Sequence, residues 1–123
     1  MLFRSEWNRL YKEYLGVDVP DDTHGCLQDS HWSGGMIAYF PSYALGSAYG
    51  VQMLHNMEKE IDVQGDLAKG DLTAISAWLR DKVHRHGSVI EPGEIIKIAC
   101  GEFDPTVFTD YLAKKFSELY GLK

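Results

Sequence analysis

Apolar residues three and four positions apart recur along this chain, segment after segment, with glycine or proline at the segment ends. In residues 2–15 they fall at Phe3, Trp7, Leu10, Tyr11, Tyr14 and Leu15, the spacing of one helix face. Gly16 follows directly, where a left-handed C-terminal cap is wanted. No segment alternates with the period of two that a half-buried strand requires. The spacing therefore predicts an all-α fold, a helical bundle forming one unit over residues 1–123.

The other elements follow from the same signals. Residues 17–30 hold Pro20, Asp21, Asp22, Thr23 and Gly25, the composition of a loop. A second helix is predicted from Pro41 to about Ile61, because proline at the first helical position gives up an N–H that has no intrahelical partner. Its first half, Tyr43 to Val51, is apolar or small nearly all round, the pattern of a helix buried on every side. Gly46 and Gly50, one turn apart, would let another backbone approach. His55 to Glu60 is polar and is expected to emerge into solvent. Asp66 to Lys69 reads as a short helical turn. Asp71 is an N-cap for a third helix, Leu72 to His86, with Ile75, Trp78, Leu79 and Val83 on one stripe. Glu91-Pro92-Gly93-Glu94 opens a fourth helix with Ile95, Ile96 and Ile98 inward, stopped by Gly101. Asp104-Pro105 opens a fifth that carries Val107, Phe108, Tyr111, Leu112, Phe116 and Leu119 and ends at Gly121.

A chain of 123 residues can bury roughly two-thirds of its unfolded surface, enough for a core without staples. The formal net charge of −6 argues against a nucleic-acid partner and against docking on an anionic membrane. The longest apolar stretch, Met36 to Leu54, contains Pro41, two serines, two glycines and Gln52, and is too polar for the about 20 mostly apolar residues of a membrane span. The N-terminus lacks the basic and apolar regions of a signal peptide. Cys26 and Cys100 form no C-x-x-C. They read as two free thiols in a reducing, cytoplasmic setting, with one disulfide as the alternative.

Chemistry concentrates in residues 25–35. Gln28, Asp29, His31 and Trp32 crowd into five positions and precede the pair Gly34-Gly35. A loop that presents hydrogen-bonding groups to a ligand has this mixture. Tyr39 and Tyr43 are four apart and would share a face if both were helical. An imidazole and a phenol that converge are suitable donors to a developing oxyanion. A structural reading stays open beside this one: Asp29 caps a helix, His31 is a satisfied core histidine, and the tyrosines pack with one wet end. No metal site is predicted. There is no H-E-x-x-H, His84 and His86 would point about 200° apart on a helix, and His24, His31 and His55 lack ligand spacing. Cys26 sits in no known nucleophile motif, and Glu91 and Glu94 read as first-turn acids that complement a helix dipole.

The run Gly25-Cys26-Leu27-Gln28-Asp29-Ser30-His31-Trp32 resembles the G-x-x-Q-D-x-H-W signature of the Taq-type zinc carboxypeptidases. Tyr39-Phe40-Pro41-Ser42-Tyr43-Ala44-Leu45-Gly46 is similar to the G-Y-F-P-[ST]-Y-x-L-G block of that family. Ala38 replaces the usual glycine and Cys100 the usual threonine. The resemblance implies a larger, mostly helical zincin-like metallopeptidase of which this chain is the C-terminal part. Zinc would be held by residues outside the chain, with no metal expected in the fragment itself. The resemblance further implies that His31 and Tyr43 act as catalytic donors to substrate and oxyanion, and that Gln28, Asp29, Trp32 and Tyr39 serve substrate binding. The implied partners are peptides engaged through their C-terminus, and the implied assembly is a homodimer or self-associated fragment. From another functional class, the alternative is a stand-alone, non-catalytic helical binding or scaffold module.

Overall fold

A helix leaves backbone groups open at both ends, and several of those ends are met here by a neighbouring residue. The computed structural model describes residues 2–122. Six α-helices appear among them: α1 (Leu2–Leu15), α2 (Pro41–Met57), α3 (Val63–Lys69), α4 (Thr73–Lys82), α5 (Pro92–Cys100) and α6 (Thr106–Tyr120). Single 3-10 turns lie at Cys26–Gln28 and His84–His86. No strand occurs among the described residues, so the fold is all-helical. No described helix is long and apolar enough to cross a membrane.

Side-chain oxygens hold the helix starts. Asp62 accepts from the Gly65 N–H at 3.0 Å, which starts α3 at Val63, earlier than the expected turn at Asp66. Asp71 accepts from the Thr73 N–H at 2.9 Å, and Asp104 accepts from both the Thr106 N–H and its hydroxyl. Gly16, Gly70 and Gly121 take the left-handed conformation at helix ends, which costs glycine nothing.

The described residues group into two compact units, one ending at Ser42 and one starting at Tyr43. The division runs through the first turn of α2 rather than through a linker, so no compositional boundary marks it. In the first unit, α1 and the loop after it are joined by an aromatic contact: the Phe3 and Trp32 ring centroids lie 4.9 Å apart. Arg4 pairs with Asp22 across the same loop at 3.1 Å.

The second unit has its core at Met57, Val63, Trp78 and Ala99. Met53, Leu54, Ile61, Ile75, Leu79, Val83 and Cys100 pack around them, so the predicted α4 stripe lies on this cluster. Gln52 is the buried polar residue of the unit. Its amide donates to the Glu102 carbonyl and accepts from the Asp104 N–H, both at 2.9 Å. One side chain thereby closes the α5–α6 connection.

Several expectations change. Helix α2 ends at Met57, not near Ile61, because the chain turns there to carry Ile61 and Val63 back onto the core. Helix α4 ends at Lys82, and the histidines follow in a separate 3-10 turn. Ile98 is 58% exposed; Ile95, Ile96 and Ala99 form the buried face of α5 instead. Most informative is the first half of α2. Leu45, Gly46, Ser47 and Gly50 are exposed, and within Tyr43 to Val51 Ala48 alone is buried. The all-round apolar pattern is present, but the described residues leave most of it uncovered.

Candidate functional site

The loop of residues 25–35 is built from the inside outward. Gly25 is buried, and a Cβ there would meet Val19 Cγ1 at 2.5 Å and the Asp21 carbonyl at 3.1 Å. The loop folds back on its first residue so closely that only glycine fits. Two hydrogen bonds then brace the turn. Trp32 Nε1 donates to the Cys26 carbonyl at 2.9 Å, and the Gln28 side-chain amide donates to the Thr23 carbonyl at 2.5 Å.

This bracing positions Asp29 and His31. Asp29 Oδ1 accepts from the backbone N–H of His31 at 2.8 Å and from its ring Nδ1 at 2.5 Å. Both side chains keep only about a fifth of their surface exposed, 19% for Asp29 and 21% for His31. The His31 backbone N–H holds the Asp29 carboxyl below its ordinary value, with the ring hydrogen bond adding to the effect and partial burial opposing it. An ionised carboxylate can only accept, so Nδ1 is the donor. Nε2 is then the ring nitrogen turned away from the carboxylate.

Two rings of the following segment lie against this imidazole. The His31 ring centroid is 5.4 Å from Tyr39 and 5.2 Å from Phe40. Both are well exposed, Tyr39 45% and Phe40 56%. Phe40 was no candidate on chemistry, since a phenyl ring offers no hydrogen bond; its place inside the Tyr39–Gly46 block was the available signal. Tyr39 precedes α2, and its carbonyl accepts from the Ser42 N–H at 3.0 Å. The shared helical face imagined for Tyr39 and Tyr43 therefore does not exist. Tyr43 lies in the first turn of α2, 58% exposed.

Just before Tyr39 the backbone takes an unusual course. Ala38 has φ 59°, in the left-handed region that costs a residue with a Cβ about 1–2 kcal/mol. The glycine that the family resemblance puts here would adopt it freely.

His31, Asp29, Gln28, Trp32 and Tyr39 are thus gathered in one loop system of the first unit, while Tyr43 opens the second. The described residues do not fit a metal: no three His, Cys, Asp or Glu side chains are grouped to hold an ion. Cys26 and Cys100 are both free thiols. Burial pushes the Cys100 thiol up, away from reactivity.

Comparison with known proteins gives this loop its context. The family model for carboxypeptidase Taq (M32) metallopeptidases matches residues 3–116. Carboxypeptidase 1 of Bacillus subtilis is 43% identical over 118 residues, covering 94% of this chain and 24% of that protein. Thermostable carboxypeptidase 1 of Thermus thermophilus is 35% identical over 117 residues, covering 94% of this chain and 23% of its own length. Among solved structures, the M32 carboxypeptidase of Deinococcus radiodurans superposes with a TM-score of 0.86 at 35% identity, over 96% of this chain and 24% of that one. Trypanosoma cruzi metallocarboxypeptidase 1 gives 0.84 at 36% identity, over 92% and 24%. The chain spans about a quarter of the length of the relatives it matches. Matched over nearly all of its residues in sequence and in shape, the chain belongs to the carboxypeptidase Taq (M32) metallopeptidase family.

Proposed function

We propose that this chain is the C-terminal part of a cytoplasmic zinc metallocarboxypeptidase, and that it supplies donors to the peptide substrate rather than ligands to the metal. The observation that carries this reading is the double hydrogen bond from His31 to Asp29 Oδ1. It fixes the ring orientation, with Nε2 turned away from the carboxylate. In charged form His31 donates through Nε2 to the C-terminal end of a bound peptide. Tyr43 donates its phenol to the oxyanion that develops at the scissile carbonyl. Asp29 orients His31, Gln28 and Trp32 hold the loop that carries both, and Tyr39 lines the substrate side.

Zinc enters this proposal through the family alone. Residues outside the chain hold it, and no step described for this chain passes through it. Free thiols at Cys26 and Cys100 agree with a reducing compartment.

The test is a chimera in which this chain replaces the matched residues of Bacillus subtilis carboxypeptidase 1. Hydrolysis of a blocked dipeptide is expected. His31→Ala and Tyr43→Phe are each expected to lower kcat by roughly 100- to 1,000-fold, the usual loss of one oxyanion donor. A folded, active chimera indifferent to both substitutions rejects these roles.

A further inference from the structure

A track on the second unit is left open among the described residues. Gly46, Ser47 and Gly50 are exposed on one face of α2, and the half-buried Val51 and Leu54 continue that face until Leu54 reaches the core cluster. A Cβ built on Gly46 or on Gly50 would meet nothing within 4 Å. The track runs into an open groove of about 780 Å³ between α2 and α6. Val51, Leu54, Val107 and Tyr111 give the groove apolar walls, and Glu58, Asp110, Lys114 and Glu118 give it charges of both signs. Helix α6 contributes no fully buried residue to the unit.

A helix that is apolar or small on every side is stable in water only when covered. Small residues one turn apart let a second helix approach closely. We infer that this track and groove form the seat of a helix from the part of an M32 chain that these residues do not span, and that the seat binds that part even when it is supplied as a separate chain. The argument for this occupant is length and shape. Solved relatives keep this quarter in the same form, at TM-scores of 0.80 to 0.86, and carry roughly three further quarters of chain. A second copy is the poorer occupant. Track on track would pair small residues with small residues, and so bury less apolar area than a helix with larger side chains laid on the track. The inference rests on family membership and is independent of the roles given to His31 and Tyr43.

The experiment mixes this chain with Bacillus subtilis carboxypeptidase 1 lacking the 118 matched residues, and measures mass by light scattering after size exclusion. A 1:1 complex is expected, at the expense of self-associated chain. If the truncated relative is insoluble alone, both are refolded together from denaturant, with the intact relative as the refolding control. The truncated relative should then stay soluble only beside this chain. The variant Gly46→Leu/Gly50→Leu should remain helical by circular dichroism, since leucine is the better helix former. It should bind roughly tenfold or more weakly, the effect of overpacking one contact. The inference is overturned by self-association that the truncated relative does not shift, by failure to rescue it while the intact control refolds, or by a complex that ignores the leucine pair. Because the readout is mass, a complex without peptidase activity supports the docking seat and rejects only the catalytic reading.

Discussion

Single residues set the geometry of the candidate site. Ala38 carries a Cβ into left-handed backbone, so Ala38→Gly is expected to stabilise the fold by about 0.5–1 kcal/mol. That figure is the relieved strain less the extra entropy glycine brings to the unfolded chain; urea denaturation checks it. Asp29 makes a pH prediction. Its folded-state value is lowered, first by the His31 N–H and then by the ring. The stability it contributes is therefore present above the ordinary carboxylate value, about 3.9, and is lost as pH falls through the lowered folded value. The Asp29 side-chain carboxyl carbon resonance should move only below that ordinary value. Asp29→Asn should remove this acid transition, which separates Asp29 from the other carboxylates. The candidate residues were legible because polar and aromatic groups crowd a short loop. The Tyr39–Phe40 cage around His31 was not, because ring proximity depends on how the chain turns before Pro41.

Individual elements show which signals travel reliably from sequence to fold. Start signals did, to within a residue: Asp71 and Asp104 each accept from the N–H two residues on, just ahead of the N-cap positions Leu72 and Pro105. These are local interactions, complete within a few residues. Ends set by packing did not. Helix α2 stops at Met57 because Ile61 and Val63 are needed on a core formed with α4 and α5, a demand that no local window contains. Gln52 likewise reads as an unremarkable polar residue in an apolar helix. It proves to be a buried clamp on the α5–α6 connection. Gln52→Leu removes both bonds and strands a carbonyl and an N–H, so a loss of about 2–3 kcal/mol is expected by chemical denaturation. Trp78→Ala empties the centre of the core cluster and should cost about 3–5 kcal/mol.

At the scale of the molecule, the apolar track on α2 and the uncovered face of α6 predict that the isolated chain self-associates, because large exposed apolar patches seek cover. Light scattering at micromolar concentration should report a dimer or larger species; a stable monomer would contradict the burial argument. Chelator treatment of the same sample should leave its circular dichroism and Tm unchanged, since the described residues group no ligand set. The sequence by itself determined the helical class, the helix-start signals, the apolar pattern of α2 and the family, because periodicity, turn chemistry and a dense motif are properties of neighbours along the chain. Only the tertiary structure decided where α2 ends, that Ile98 faces out and that Gln52 is a clamp. Each of these depends on which distant segment arrives to fill, bond or leave open a given face, and the free energy of that meeting is written in no single stretch of residues.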